Sequence, residues 1–218
     1  MSLVKAAPIN DSCSNCLKPE RLCVCAAIAR IQTRKHVLIL QHPQEPDKEL
    51  GSARLAHLCL PNSTLKIGLS WPNLTKALGA QAIPGRWAVL YLGSGIKAGP
   101  SNFAAPQPGS LVFVTKSGVP DPTVRLRDID GLVCLDGTWS QAKALWWRNA
   151  WLLKLRRAIL VPKVKSLYGN LRREPRRECL STIESIAEAL CGLGEAPEAG
   201  QKLKEIFGTL LDKQRGKT

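Results

Sequence analysis

Residues 131–155, GLVCLDGTWSQAKALWWRNAWLLKL, constrain the fold more than any other stretch of the chain. Leu132, Val133, Cys134 and Leu135 form a continuous apolar run of the kind a buried parallel strand needs, and Asp136 stands where that strand must end. Gly137 permits a sharp turn, Thr138 can cap a helix, and Gln141 three residues later completes a T-x-x-Q capping box. The expectation is a strand, an acidic tip and a capped helix. In open α/β sheets the carboxyl ends of the strands face the ligand crevice, so a carboxylate at that edge is placed for chemistry. A purely structural role fits the same residues, with Asp136 and Thr138 capping and Trp139 packing.

The flanking sequence supplies the rest of an α/β pattern. Short strands are expected at 36–40 (HVLIL), 65–69 (LKIGL), 87–92 (WAVLYL), 111–115 (LVFVT) and 158–162 (AILVP). Helical spacing appears from Glu49 to Leu60, near 73–79 and over 197–214, and Ser181 with Glu184 forms an S-x-x-E capping box ahead of another amphipathic run. The helix after Trp139 is expected to carry Trp146, Trp147 and Trp151, with Trp147 and Trp151 on one face buried against the sheet. Gly93-Ser94-Gly95 opens a loop that lacks the lysine and spacing of a P-loop and is expected to approach a ligand. His42, at the exit of the first strand, reads either as a general base or as a hydrogen-bonded edge residue.

Four cysteines lie close together as Cys13-x-x-Cys16 and Cys23-x-Cys25. The N-terminal residues MSLVKAAPINDSC lack the apolar core of a signal peptide, and no run approaches the roughly eighteen apolar residues of a membrane span. A cytoplasmic, reducing setting is therefore expected, in which paired thiols clasp a metal rather than form disulfides. The pattern suggests a closed tetrahedral four-cysteine structural zinc site in a small knuckle over 1–30, with a redox pair as the other reading. Cys59, Cys134, Cys179 and Cys191 sit in apolar contexts and read as small core residues.

Charge narrows the partner. The net charge is +14, and between Lys154 and Arg177 nine lysines and arginines face the single Glu174. Such concentration favours a phosphate-contacting surface, although a charge run also serves as a solvated face.

The residues Asp136-Gly137-Thr138-Trp139, followed by Gln141-Ala142, resemble the D-x-T-W signature of the DTW-domain family. The resemblance recurs in order. His42-Pro43-Gln44-Glu45 is similar to the family's first motif, Tyr168-Gly169 with Leu171-Arg172-Arg173-Glu174-Pro175 to the next, and Leu180 to Ala187 to the last. The paired cysteines are similar to those that open many members. The chain departs from the pattern at Lys48-Glu49-Leu50-Gly51-Ser52-Ala53, where many members show an arginine followed by Asn-Thr-Gly.

The resemblance implies a catalytic domain over 31–218, similar to the SPOUT methyltransferases: an α/β fold with a knotted, mostly parallel sheet flanked by helices. It implies transfer of the 3-amino-3-carboxypropyl group of S-adenosylmethionine, as co-substrate, to N3 of a uridine in tRNA. Asp136 would accept or position the imide proton, Thr138 would hold Asp136 and the turn, and Trp139 would pack against the base or the donor. Leu135, Leu160, Val161, Ser181, Thr182 and Glu184 would line the donor pocket. Free amides at the helix mouth after Ser181 would favour the donor's carboxylate. Arg172, Arg173, Arg176 and Arg177 would grip phosphates bidentately. No membrane and no protein partner is expected. Two other classes fit the residues: an RNA methyltransferase on the same scaffold, and a non-catalytic zinc-containing RNA-binding adaptor.

Overall fold

The structure, a computed structural model, describes residues 12–90, 96–97, 106–161, 163, 165–169, 171 and 180–216. Six strands form one sheet: β1 (His36–Gln41), β2 (Ser63–Ile67), β3 (Trp87–Leu90), β4 (Leu111–Val114), β5 (Gly131–Asp136) and β6 (Arg156–Leu160), in the order β2-β1-β5-β3-β6-β4. Every neighbouring pair is parallel except the edge strand β4, which runs antiparallel to β6. The helices are α1 (Ala53–Cys59), α2 (Leu74–Leu78), α3 (Trp139–Arg148), α4 (Thr182–Gly192) and α5 (Pro197–Gln214). None of the described helices is long and apolar enough to cross a membrane.

The continuous apolar runs of β1 and β5 follow from burial on both faces of the sheet. Along β5 the side chains alternate. Leu132 and Cys134 join a core with α1, α4 and α5, while Val133 and Leu135 face a second core containing Leu38, Leu74, Trp87, Trp151 and Leu152. A glycine opens β5 because a Cβ at Gly131 would stand 2.6 Å from the Trp87 ring and 2.8 Å from the His36 carbonyl oxygen. The cysteine-bearing segment is built onto the first core, with Cys16, Leu22 and Val24 buried among residues of α1, α4 and α5.

Several boundaries move for local reasons. Helix α1 starts at Ala53 rather than near Glu49, because the chain first turns with Gly51 N–H donating to the Lys48 carbonyl. Strands β2 and β6 each begin two residues earlier than expected, at Ser63 opposite Val37 and at Arg156 opposite Ala88.

The larger correction concerns the tryptophan-rich segment. Helix α3 ends at Arg148, and a separate 3-10 turn follows over Ala150–Lys154. Asn149, fully buried, makes the break. Its side-chain oxygen accepts from Trp71 N–H and from the Trp151 indole, and its amide nitrogen donates to the Leu69 and Leu145 carbonyls. Trp151 is therefore buried while Trp147 is 80% exposed, so the two do not share one buried helix face.

Candidate active site at the carboxyl rim of the sheet

Asp136 is the last residue of β5, the central strand, and stands level with Gln41 at the end of β1. It is 6% exposed. Gln41 Nε2 donates to Asp136 Oδ2 at 2.8 Å, and the Thr182 hydroxyl, at the start of α4, donates to Oδ1. The Asp136 carbonyl accepts from His42 N–H at 2.9 Å. One carboxylate thus joins two strands and a helix, and each of its oxygens keeps an acceptor direction for a further group.

The turn beyond Asp136 is built from the D-G-T-W residues. A Cβ at Gly137 would lie 2.8 Å from the Gln141 Cβ, so the close approach of α3 requires glycine. The capping box forms, with Gln141 Oε1 accepting from Thr138 N–H at 2.6 Å and the Thr138 hydroxyl accepting from Gln141 N–H at 3.4 Å. Gln141 also donates to Gln44 at 3.1 Å, tying α3 to the loop after β1. Trp139 is half-buried at the first position of α3, beside the rim.

Glu184 holds the mouth of α4. Its carboxylate accepts from Ser166 Oγ, Leu167 N–H, Ser181 N–H and Ser181 Oγ, at 2.6–2.9 Å. Ile183 N–H is taken by Ser52 Oγ at 3.2 Å, and Glu184 N–H by Ser181 Oγ. Of the amides at this mouth, those of Ser181, Ile183 and Glu184 are thus engaged by the protein itself. Tyr168 is buried nearby, with its hydroxyl donating to the Leu50 carbonyl at 2.9 Å and its ring edge-on to Phe207.

The remaining expected pocket residues divide between the two sides of the sheet. Leu160 ends β6 and packs on the core that contains Cys134 and α4, the side on which Asp136 and Thr182 meet. Leu135 faces the opposite core. The backbone of Val161 is committed to residues 109 and 110, through Gly109 N–H and the Ser110 carbonyl. Arg172, Arg173, Arg176, Arg177 and Cys179, like Gly93 to Gly95, lie outside the described residues.

The four N-terminal cysteines converge. Their sulfurs lie within 4.8 Å of one another, with Cys13 to Cys25 at 3.5 Å and Cys16 to Cys23 at 3.8 Å. A tetrahedral zinc with Zn–S bonds of about 2.3 Å needs sulfur–sulfur edges of roughly 3.8 Å, so this donor set fits a metal. The turn is tight, with Leu17 at a φ of 56° and its N–H donating to the Cys13 carbonyl. Backbone amides of Cys16 and Asn15 lower the Cys13 thiol to about 6, while burial raises Cys25 to about 12.

Two buried polar residues lay outside the sequence expectations, Gln41 and Lys18. Gln41 was legible only as part of a strand exit, and its role depends on β1 lying beside β5. Lys18, inside the cysteine turn, is buried, and its ammonium donates to the Lys48 carbonyl at 2.8 Å. Burial pushes its pKa down to about 8, against the opposing influence of Cys16, Asp136 and Glu49. At the opposite rim His36, Trp87 and Asp130 border a cavity of about 630 Å³. Its polar groups are engaged there, His36 by Asn62 and Thr64 and Asp130 by Arg86. The groups suited to chemistry therefore cluster at the carboxyl ends of the strands.

The family model described as the DTW domain matches residues 10–215. The chain is 28% identical to the tRNA-uridine aminocarboxypropyltransferase 2 of Macaca fascicularis, over 86% of this chain and 58% of that protein. The protein of the same name from Mus musculus is 29% identical over the same shares, and that from Drosophila melanogaster 29% over 97% of this chain and 78% of its own. The chain thus spans less than two thirds of the length of the two mammalian relatives. No solved structure gives a significant match. With the D-G-T-W turn at its central strand and the domain match running over nearly its whole length, the chain belongs to the DTW domain family.

Proposed function

We propose that this protein transfers the 3-amino-3-carboxypropyl group of S-adenosylmethionine to N3 of a uridine in tRNA. The observation that carries the reading is the Asp136 carboxylate, held at the rim by Gln41 and Thr182 within a chain similar to proteins named for that reaction. The sulfonium is already electrophilic, so selectivity among its three carbons is a matter of orientation. The N3 lone pair attacks the γ-carbon of the aminocarboxypropyl chain, the carbon–sulfur bond breaks with its electron pair going to sulfur, and methylthioadenosine leaves. The imide proton passes to Asp136, or to water that Asp136 orients.

Thr138 sets the turn that fixes Asp136, and Trp139 forms a wall for the uracil or the adenine. Thr182, Leu160, Val161 and Leu135 supply strand-end and helix-end surface around the donor, with Ser181 and Glu184 holding that wall in shape. A backbone knot of the SPOUT kind at this rim, and a division into a 1–30 knuckle and a 31–218 catalytic domain, belong to the same proposal. Zinc on Cys13, Cys16, Cys23 and Cys25 would order the knuckle and take no part in the chemistry. Arg172, Arg173, Arg176 and Arg177 would grip the tRNA backbone, in a cytoplasmic setting. The test is incubation with bulk tRNA and S-adenosylmethionine, followed by nucleoside mass spectrometry. An aminocarboxypropyl-uridine with methylthioadenosine supports the reading; a methylated nucleoside with S-adenosylhomocysteine, or no product, overturns it.

A further inference from the structure

Trp147 is the most exposed large apolar side chain among the described residues, at 80%. It stands one turn beyond Lys143 on α3, and both face away from Ala142 and Leu145, which seat the helix on the core. One four-residue step back from Lys143 is Trp139, at the mouth of the helix, so the three side chains follow one another along one side. The neighbouring Trp146 is half-buried, with the Arg157 guanidinium 5.7 Å from its ring centre. The indole of Trp147, held in water, adds nothing to the core, and a molecule that covers it removes that surface from water.

The path of α3 ties this surface to the rim. Near its start Gln141 donates to Gln44, in the loop after β1, at 3.1 Å, and at its end the Arg148 carbonyl accepts from Ser70 Oγ, in the loop after β2, at 3.0 Å. Gly68 N–H, in that second loop, donates to the Gln41 carbonyl at 3.1 Å. Both ends of the helix are therefore anchored to segments leaving the carboxyl ends of strands, and it runs along the rim from β5 toward the edge strand β2. Charge says what covers it. Lys143 and Arg148 are exposed on either side of Trp147, and neither stretch of chain that meets here contains an acid: no Asp or Glu occurs between Glu49 and Asp121, or between Asp136 and Glu174. An aromatic face set between cations suits a nucleobase and its phosphates. A second copy of this chain, at +14, would bring like charge to the same face.

We propose that Trp147 is a stacking platform for the tRNA substrate, on which an unpaired base close to the target uridine lies, with Lys143 and Arg148 binding the adjoining phosphates. For the place of the uridine this assignment rests on the transferase reading above. Trp139 and Trp147 are about 12 Å apart along the helix axis, eight residues at about 1.5 Å each, so the stacked base is a neighbour of the uridine in the strand and not the uridine itself. A base inside a duplex is already stacked on both faces and has none to offer. The substrate class is therefore a uridine within an unpaired run of nucleotides, held at two points so that its N3 stays at the rim.

Filter binding on the full chain tests this with three probes: bulk tRNA, a single-stranded oligouridylate and a duplex RNA of equal length. Trp147→Ala is expected to weaken tRNA and the oligouridylate by about 10- to 100-fold, leaving the duplex within about twofold. Its dependence on salt should match the wild type, because stacking releases no counterions, whereas Lys143→Gln with Arg148→Gln should flatten that dependence. Trp147→Phe should retain most of the binding. Affinity for tRNA within about twofold in Trp147→Ala, equal losses for single strand and duplex, or a Trp147→Phe no better than Trp147→Ala overturns the assignment. So does a change of oligomeric state in Trp147→Ala with tRNA binding intact, which would make this face an interface between copies of the chain. The transferase reading fails separately: a wild type that binds RNA through Trp147 but forms no aminocarboxypropyl-uridine rejects the reaction and leaves the platform. One that binds neither tRNA nor the oligouridylate overturns both.

Discussion

The hydroxyl of Thr182, the first residue of α4, donates to Oδ1 of Asp136, the last residue of β5, across 46 positions of sequence. The bond fixes the height and rotation of a carboxylate that Gln41 holds from the other side. Replacing Thr182 by Val keeps the shape and removes the donor. Transfer is expected to fall about tenfold or more, with tRNA affinity nearly unchanged, since a bond to a charged group contributes roughly 1.5–3 kcal/mol. Asp136→Ala should abolish transfer while leaving donor affinity nearly intact. Single-turnover kinetics measures both, and retained turnover in Asp136→Ala removes the carboxylate from the mechanism.

Asn149 makes its own stability prediction. Its fully buried side chain satisfies two donors and two acceptors from three segments. Asn149→Ala should cost about 3 kcal/mol or more, read from urea denaturation, because buried backbone groups lose their partners together. A loss below about 1 kcal/mol would show that water replaces the side chain there.

Metal analysis of the purified protein should find about one zinc per chain, lost in Cys13→Ser. The same variant should unfold at lower temperature, since binding energy released on folding is folding energy. A fully folded, metal-free native protein would restore the redox reading of the thiols.

Exchange of Arg172, Arg173, Arg176 and Arg177 for Ala should weaken tRNA binding and flatten its dependence on salt, by about one unit of log–log slope for each phosphate no longer gripped. Filter binding between low and physiological salt measures the slope. An unchanged slope would place the tRNA elsewhere on the protein.

Burial holds the imidazoles of His36 and His57 below their ordinary value of 6.5, with Arg54 adding to the effect at His57. Each therefore stays neutral in the folded protein at a pH where the unfolded chain binds a proton. Their contribution is fully present above pH 6.5 and is lost as pH falls through the depressed folded values. Urea midpoints are expected to fall between about pH 7.5 and 5.5, above the range where carboxylates titrate, and to fall less in His36→Asn with His57→Gln. A flat profile in the native protein would contradict this.

Local chemistry made much of the fold legible. The run Leu132 to Leu135 reads as a two-sided buried strand, and the Thr138–Gln141 and Ser181–Glu184 boxes form as their spacing requires. Asn149 was not legible as a break, because its four partners come from Leu69, Trp71, Leu145 and Trp151, and the first two lie about eighty residues away. Without that network the tryptophans suit one continuous amphipathic helix.

By itself the sequence determined the strand that ends in Asp136, the caps that follow it and the gathering of four thiols, because each depends on residues within about a dozen positions of one another. Only the tertiary structure decided what surrounds the carboxylate. Gln41 and Thr182 reach it because β1 pairs beside β5 and α4 returns to the same rim. A charge's neighbours are set by distance in space, and residues 41 and 182 are close to residue 136 only once the sheet has formed.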